Sequence, residues 1–89
     1  MAERSHPVGH PTGAQLRAAR ALVRVTVAAL SQVSGLAPGT INRAESVDGP
    51  APINAANAKL LVRVLEDAGV AFVRADEHGG PGVRLVVTN

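Results

Sequence analysis

The chain has 89 residues, 46% of them apolar, with one Phe, one Met and no Trp, Tyr or Cys. That length leaves room for one small domain burying roughly 60% of its unfolded surface, and it excludes a large enzyme cleft and any disulfide staple. Sixteen Ala and thirteen Val supply most of the apolar share, so the core is thin and association, most simply as a dimer, is the remaining source of support. The net charge of +2 hides an asymmetry: five arginines (Arg4, Arg17, Arg20, Arg24, Arg43) and no acid lie between Glu3 and Glu45, whereas from Glu45 onward four basic residues face six acidic ones. Such a basic half suits a polyanion, because Arg gains affinity by releasing counterions condensed on phosphates; it equally suits a solvated Arg-rich surface.

Residues 1–11, with two Pro, a Gly and no apolar run, predict a flexible amino-terminal tail. No stretch approaches the ~18 apolar residues that cross a bilayer and no apolar signal-peptide core is present, so a cytoplasmic protein without a membrane partner is expected. His6 and His10 stand four apart, but Pro7 and Pro11 oppose the helix that would align them, and His78 lies in a distant Gly-rich stretch; no metal site and no cofactor are expected.

Thr12 and Gln15 have the spacing of a capping box opening a helix through about Val23, with Leu16, Ala19, Leu22 and Val23 as its buried stripe and Arg17 and Arg24 off it. Thr26 is the next N-cap, for a helix over 27–34 that turns Leu30 and Val33 inward. Gly35 stops that helix in the left-handed conformation, Leu36 plugs the turn, and Pro38 suits the first position of a helix over 38–46. This third helix buries Ile41 and Ala44 and turns Gly39, Thr40, Asn42 and Arg43 outward. Two short helices about a Gly-containing turn have the form of a helix-turn-helix.

A Gly/Pro loop over 46–52 leads to a fourth helix that starts at Asn54 or Asn57, carries Leu60, Leu61, Val64, Leu65 and Ala68, and stops at Gly69. Two β-rich runs follow, 70–73 and 83–87, joined by the polar stretch 74–82, with Val83, Leu85 and Val87 alternating against Arg84, Val86 and Thr88. A lone hairpin of this length is marginal and exposes its edges, so Val70, Phe72, Val83, Leu85 and Val87 are the expected dimerisation contacts. The organisation read this way is a tail (1–11), a four-helix domain (12–69) and a C-terminal β-hairpin used for dimerisation (70–89): a mainly α fold.

The residues Leu16-Arg17-x-x-Arg20, Thr26, Leu30, Gly35-Leu36 and Thr40-Ile41-x-Arg43-x-Glu45 resemble the small lambda-repressor-like (XRE or Cro type) DNA-binding regulators. The tail Ala68-Gly69-Val70-x-Phe72, with residues 79–85, is similar to the ending of a bacterial subgroup of short regulators, and the likeness spans about 12–87. The resemblance implies a four-helix lambda-repressor-like domain, with Arg20 and Glu45 as a partly buried ion pair joining the first and third helices. It puts Arg43 in the major groove of double-stranded DNA, where arginine can give two hydrogen bonds to guanine, and it adds Arg24, Thr26, Pro38, Gly39, Thr40, Asn42 and Ser46 as DNA-binding positions. Read from the residues alone, the lesser alternatives are a solvated or phosphate-bound Arg43 and an Arg20 that is a free phosphate contact.

Several positions depart from that family. Val27 replaces a common Gln, Arg24 stands where Gly is common, Ala37 replaces a Ser cap, and Pro38 and Gly39 replace long polar side chains. The expected function is a sequence-specific transcriptional regulator, a repressor binding an inverted-repeat operator as a homodimer, with half-sites roughly 34 Å apart. The alternative is a protein-interaction module, antitoxin-like or antiactivator, on the same scaffold. No catalytic constellation is visible: Glu66-Asp67 and Asp76-Glu77 read as solvated charges, and an enzyme is not expected.

Overall fold

A computed structural model describes residues 9–86. The helices are α1 (Gly13–Leu22), α2 (Val27–Ser34), α3 (Pro38–Ala44) and α4 (Ala55–Asp67); the strands β1 (Val70–Val73) and β2 (Gly82–Leu85) follow as an antiparallel hairpin. The fold is mainly α with a carboxyl-terminal hairpin.

Local chemistry sets the boundaries. The Thr12 hydroxyl accepts from Gln15 N–H at 2.9 Å while the Gln15 carbonyl oxygen accepts from Thr12 N–H at 2.9 Å, the reciprocal capping box. Thr26 caps α2 through Ala29 N–H at 3.0 Å, and Asn54 caps α4 through Asn57 N–H at 2.7 Å. Gly35 ends α2 at φ 80°, as its position predicts. Pro38 opens α3 behind Ala37, whose side chain gives no cap. α3 is shorter than expected: it stops at Ala44, with Glu45 as C-cap and Ser46 outside it.

The core unites α1 (Leu16, Ala19), α2 (Leu30), α3 (Ile41, Ala44), Ala51 of the loop, α4 (Leu61, Leu65) and Val70 of β1. Phe72 and Val83 pack against it from the hairpin. Val70 is 1% exposed, so its side chain belongs to its own core and is not the expected dimer contact. β2 stops at Leu85, and the expected contact Val87 lies outside the described residues.

Two apolar residues assigned inward are exposed. Leu22 lies at the end of α1, where the chain turns away. Val33 is 71% exposed, because α2 is rotated to put its serines inward. Ser31 Oγ donates to the Leu36 carbonyl at 2.6 Å and Ser34 Oγ accepts from Leu36 N–H at 3.2 Å. The polar backbone of the turn takes precedence over one Val, since an unpaired buried peptide group is worth about 1–3 kcal/mol and an exposed Val is tolerated.

Two residues assigned to the amino-terminal tail are held against the fold. Pro11 is fully buried, Ala51 N–H donates to its carbonyl at 3.0 Å, and His10 Nε2 lies 2.7 Å from the Ala51 carbonyl. Residues 10 and 11 are thus docked on the loop before α4. His6 lies outside the described residues, and among the described residues no three metal-ligating side chains gather. Among the same residues, no helix is long and apolar enough to cross a membrane.

Candidate nucleic-acid interface

The candidate surface consists of the start of α2, the turn over 35–37 and α3. α3 buries Ile41 and Ala44 and leaves Pro38, Gly39, Asn42 and Arg43 exposed, with Thr40 half-buried. Seven residues make barely two turns, so two buried positions three apart fix which way every other side chain faces. Arg24 is exposed immediately before α2 and Thr26 is that helix's exposed N-cap. Pro38, Gly39, Thr40, Asn42 and Arg43 thus lie on α3, whereas Arg24 and Thr26 lie just before α2, a helix that packs against α3. Ser46 lies beyond α3, and its hydroxyl donates to the Arg43 carbonyl at 2.7 Å.

Arg24 has a positive φ of 57°, the only non-Gly residue with one among those described. A left-handed L-residue costs about 1–2 kcal/mol, which Gly at this position would avoid. An arginine held there against backbone preference marks its side chain as a candidate for function.

Two other arginines of the acid-free stretch are engaged in the scaffold. Arg20 forms a two-point pair with Glu45, Nε to Oε2 at 2.9 Å and Nη2 to Oε1 at 2.9 Å, and its Nη1 donates to the Val25 carbonyl at 3.1 Å. The pair is shielded, with side chains 24% and 7% exposed. The hydrogen bond to Glu45 raises the Arg20 pKa above its ordinary value, against the opposing effect of burial and with help from the Glu45 charge. One guanidinium thereby ties α1, the α1–α2 connection and the end of α3, holding α3 in place. Arg17 donates through Nη1 to the Glu45 and Val47 carbonyls at 2.6 and 3.0 Å and pairs through Nη2 with Asp48 at 2.5 Å. Asp48 neutralises it, so the basic half offers less free charge than its composition implies: Arg24 and Arg43 are the arginines of this stretch with no side-chain partner among the described residues.

Two supporting residues escaped the sequence reading. Gln15 is buried, and its Nε2 donates to the Val73 carbonyl at 3.2 Å and the Gly82 carbonyl at 3.0 Å, fastening the loop end of the hairpin to α1. The signal was the choice of Gln over Glu at the capping-box position, since only the amide has donors to give. Gly13 lets the first turn of α1 reach the 46–50 loop: a Cβ there would lie 2.0 Å from the Val47 carbonyl oxygen, and Gly13 N–H donates to the Gly49 carbonyl at 2.8 Å.

No protein-family model, curated protein or solved structure matches the chain.

Proposed function

We propose that the chain is a sequence-specific DNA-binding transcriptional regulator, a repressor that occupies an inverted-repeat operator as a homodimer. In this reading α2 and α3 are a helix-turn-helix in a lambda-repressor-like domain, with α3 entering the major groove. The observation that carries it is the outward face of α3: Asn42 and Arg43 are exposed donors, Thr40 is half-buried beside them, and no carboxylate occurs anywhere from Arg4 to Ala44. Arg43 reads a guanine edge, Thr40 and Asn42 bond at the groove edge or backbone, and Arg24 and Thr26 meet phosphate from the start of α2. Pro38 and Gly39 have no side-chain donor and supply close backbone approach or contact with a thymine methyl. Arg20 and Glu45 hold the frame and read nothing.

The test is titration of the chain against its own promoter DNA at two salt concentrations. Specific binding that weakens steeply with salt is expected, with Arg43→Ala reducing affinity roughly 5- to 160-fold for each half-site, equivalent to about 1–3 kcal/mol per contact. Absence of binding below ~10 μM defeats the reading.

One observation favours a second reading, a protein-interaction module of antitoxin or antiactivator type. Val33 is the most exposed large apolar residue among those described, and it adds to the donor-poor Pro38 and Gly39. That reading expects no salt-dependent DNA binding, together with a polypeptide complex lost on Val33→Asp.

A further inference from the structure

Among the described residues, the outer edge of β2 pairs with no further strand. β1 and β2 pair with Val70 opposite Leu85, Ala71 opposite Arg84, Phe72 opposite Val83 and Val73 opposite Gly82. Val86 N–H donates to the Gly69 carbonyl at 2.8 Å, which makes 86 and 69 a hydrogen-bonded pair. Such pairs alternate along an antiparallel ladder, so the peptide groups of Arg84 and Gly82 also face β1, and those of Val83 and Leu85 face away from it. The sheet has two strands among the described residues, so the outward N–H and C=O groups of Val83 and Leu85 meet no third strand. Arg84, Leu85 and Val86 are all exposed, Leu85 at 50%, whereas every residue of β1 is buried or half-buried. A flat edge with exposed apolar residues is a template for another strand.

We infer that β2 pairs antiparallel with β2 of a second copy about a two-fold axis centred on Leu85, making a continuous four-stranded sheet. The inference rests on the homodimer in the proposed function and gives that dimer its register. Three symmetric registers have their axis within the outward-facing part of the strand. An axis at Val83 opposes Leu85 to Pro81, which has no N–H to donate. An axis at Arg84 sets that arginine against its own copy at a Cα separation of about 4.5 Å, where like charges repel. An axis at Leu85 does neither: Leu85 meets Leu85 of the other copy in a hydrogen-bonded pair, on the same sheet face as Phe72 and Val83, and Arg84 lies opposite Val86 on the other face. Its half-exposed leucines then cover each other, extending the apolar face that Phe72 and Val83 begin. The contact is isologous and closes on itself, as a dimer on an inverted repeat requires.

The chain has no Cys, so single-cysteine variants report the register directly. Leu85→Cys should oxidise to a reductant-sensitive dimer at least tenfold faster than Arg84→Cys, since a hydrogen-bonded pair has its Cα atoms about 5.5 Å apart, within disulfide range. As a check that keeps Leu85 intact, Val86→Glu places a carboxylate opposite Arg84 of the other copy, twice per symmetric dimer, and should tighten the dimer about 2- to 30-fold in sedimentation equilibrium. Faster cross-linking of Arg84→Cys, or no tightening by Val86→Glu, overturns the register. A full chain that remains monomeric at ~100 μM overturns the interface; if that monomer still shifts a half-site, the DNA reading survives alone.

Discussion

Replacing Arg20 by Met should be strongly destabilising, and replacing its partner Glu45 should not cost the same. In Arg20→Met, Glu45 keeps a carboxylate that is 7% exposed and loses both 2.9 Å bonds. Leaving such a charge unpaired costs about 3–5 kcal/mol. Glu45→Gln instead leaves a guanidinium whose side chain is 24% exposed, still bonded to the Val25 carbonyl and on a stem long enough to turn outward; about 1–2 kcal/mol is expected. The double replacement Arg20→Met with Glu45→Leu removes both charges and should recover most of the loss, because a buried pair exchanged for apolar groups is often near neutral. The assay is urea unfolding followed by far-ultraviolet circular dichroism at fixed protein concentration, since the chain has no Trp or Tyr to report by fluorescence and a dimer's stability varies with concentration. Equal losses below ~1 kcal/mol for both single variants, with no coupling in the cycle, would refute the argument and make the pair a screened surface contact. The same double variant separates scaffold from readout: it should retain DNA affinity if Arg20 only holds α3, and lose it if Arg20 touches phosphate.

Three further outcomes follow from the same geometry. Gly13→Ala should destabilise by ~3 kcal/mol or more in the same unfolding assay, since the added Cβ meets Val47 and Ala44 carbonyl oxygens at 2.0 and 2.8 Å and the ~1 kcal/mol gain in helix propensity is too small to offset a backbone clash; a neutral effect would show that the α1–loop contact is loose. Gln15→Glu keeps the acceptor for Thr12 but sets a carboxylate oxygen against the Val73 and Gly82 carbonyls, a loss of about 2–4 kcal/mol. Protonating that carboxyl restores a donor, so the deficit should narrow on acidification, and a deficit constant from pH 7 to pH 4 would contradict the staple. Arg24→Gly relieves the left-handed arginine and should raise the melting temperature by a few degrees while weakening DNA binding; a fall in both would show that Arg24 supports the fold.

Most helix starts and stops were legible without coordinates because their causes lie within four residues: Thr12 with Gln15, Thr26, Gly35 and Pro38 each satisfy or forbid a nearby backbone group, whereas Asn54 was one of two candidate starts and the end of α3 was placed two residues late. The outward set on α3 was legible for the same reason, since Ile41 and Ala44 alone orient so short a helix. The Arg20–Glu45 pair, implied by the resemblance, is present; what failed were assignments made from the residues themselves that depended on a distant partner. Val33 sat at a plausible inward spacing, but the side chains that faced inward were Ser31 and Ser34, because the Leu36 peptide groups they satisfy exist only once the turn is made. Arg17 looked like free positive charge until the 46–50 loop brought Asp48 and two carbonyls to it. Pro11 looked like tail until Ala51 paired with it, 40 residues along the chain. Val70 looked like a dimer contact until α1 and α4 closed over it.

Composition showed at the outset a thin Ala/Val core and a basic amino-terminal half. The sequence by itself determined the elements, their caps and the face of α3, all of them short-range effects of peptide hydrogen bonding and side-chain period. Only the tertiary structure decided which arginines of the acid-free stretch remain available, leaving Arg24 and Arg43 without a side-chain partner among the described residues and committing Arg17 and Arg20 to the frame. Charge is counted per residue, but its availability depends on what the fold places within about 3 Å of it.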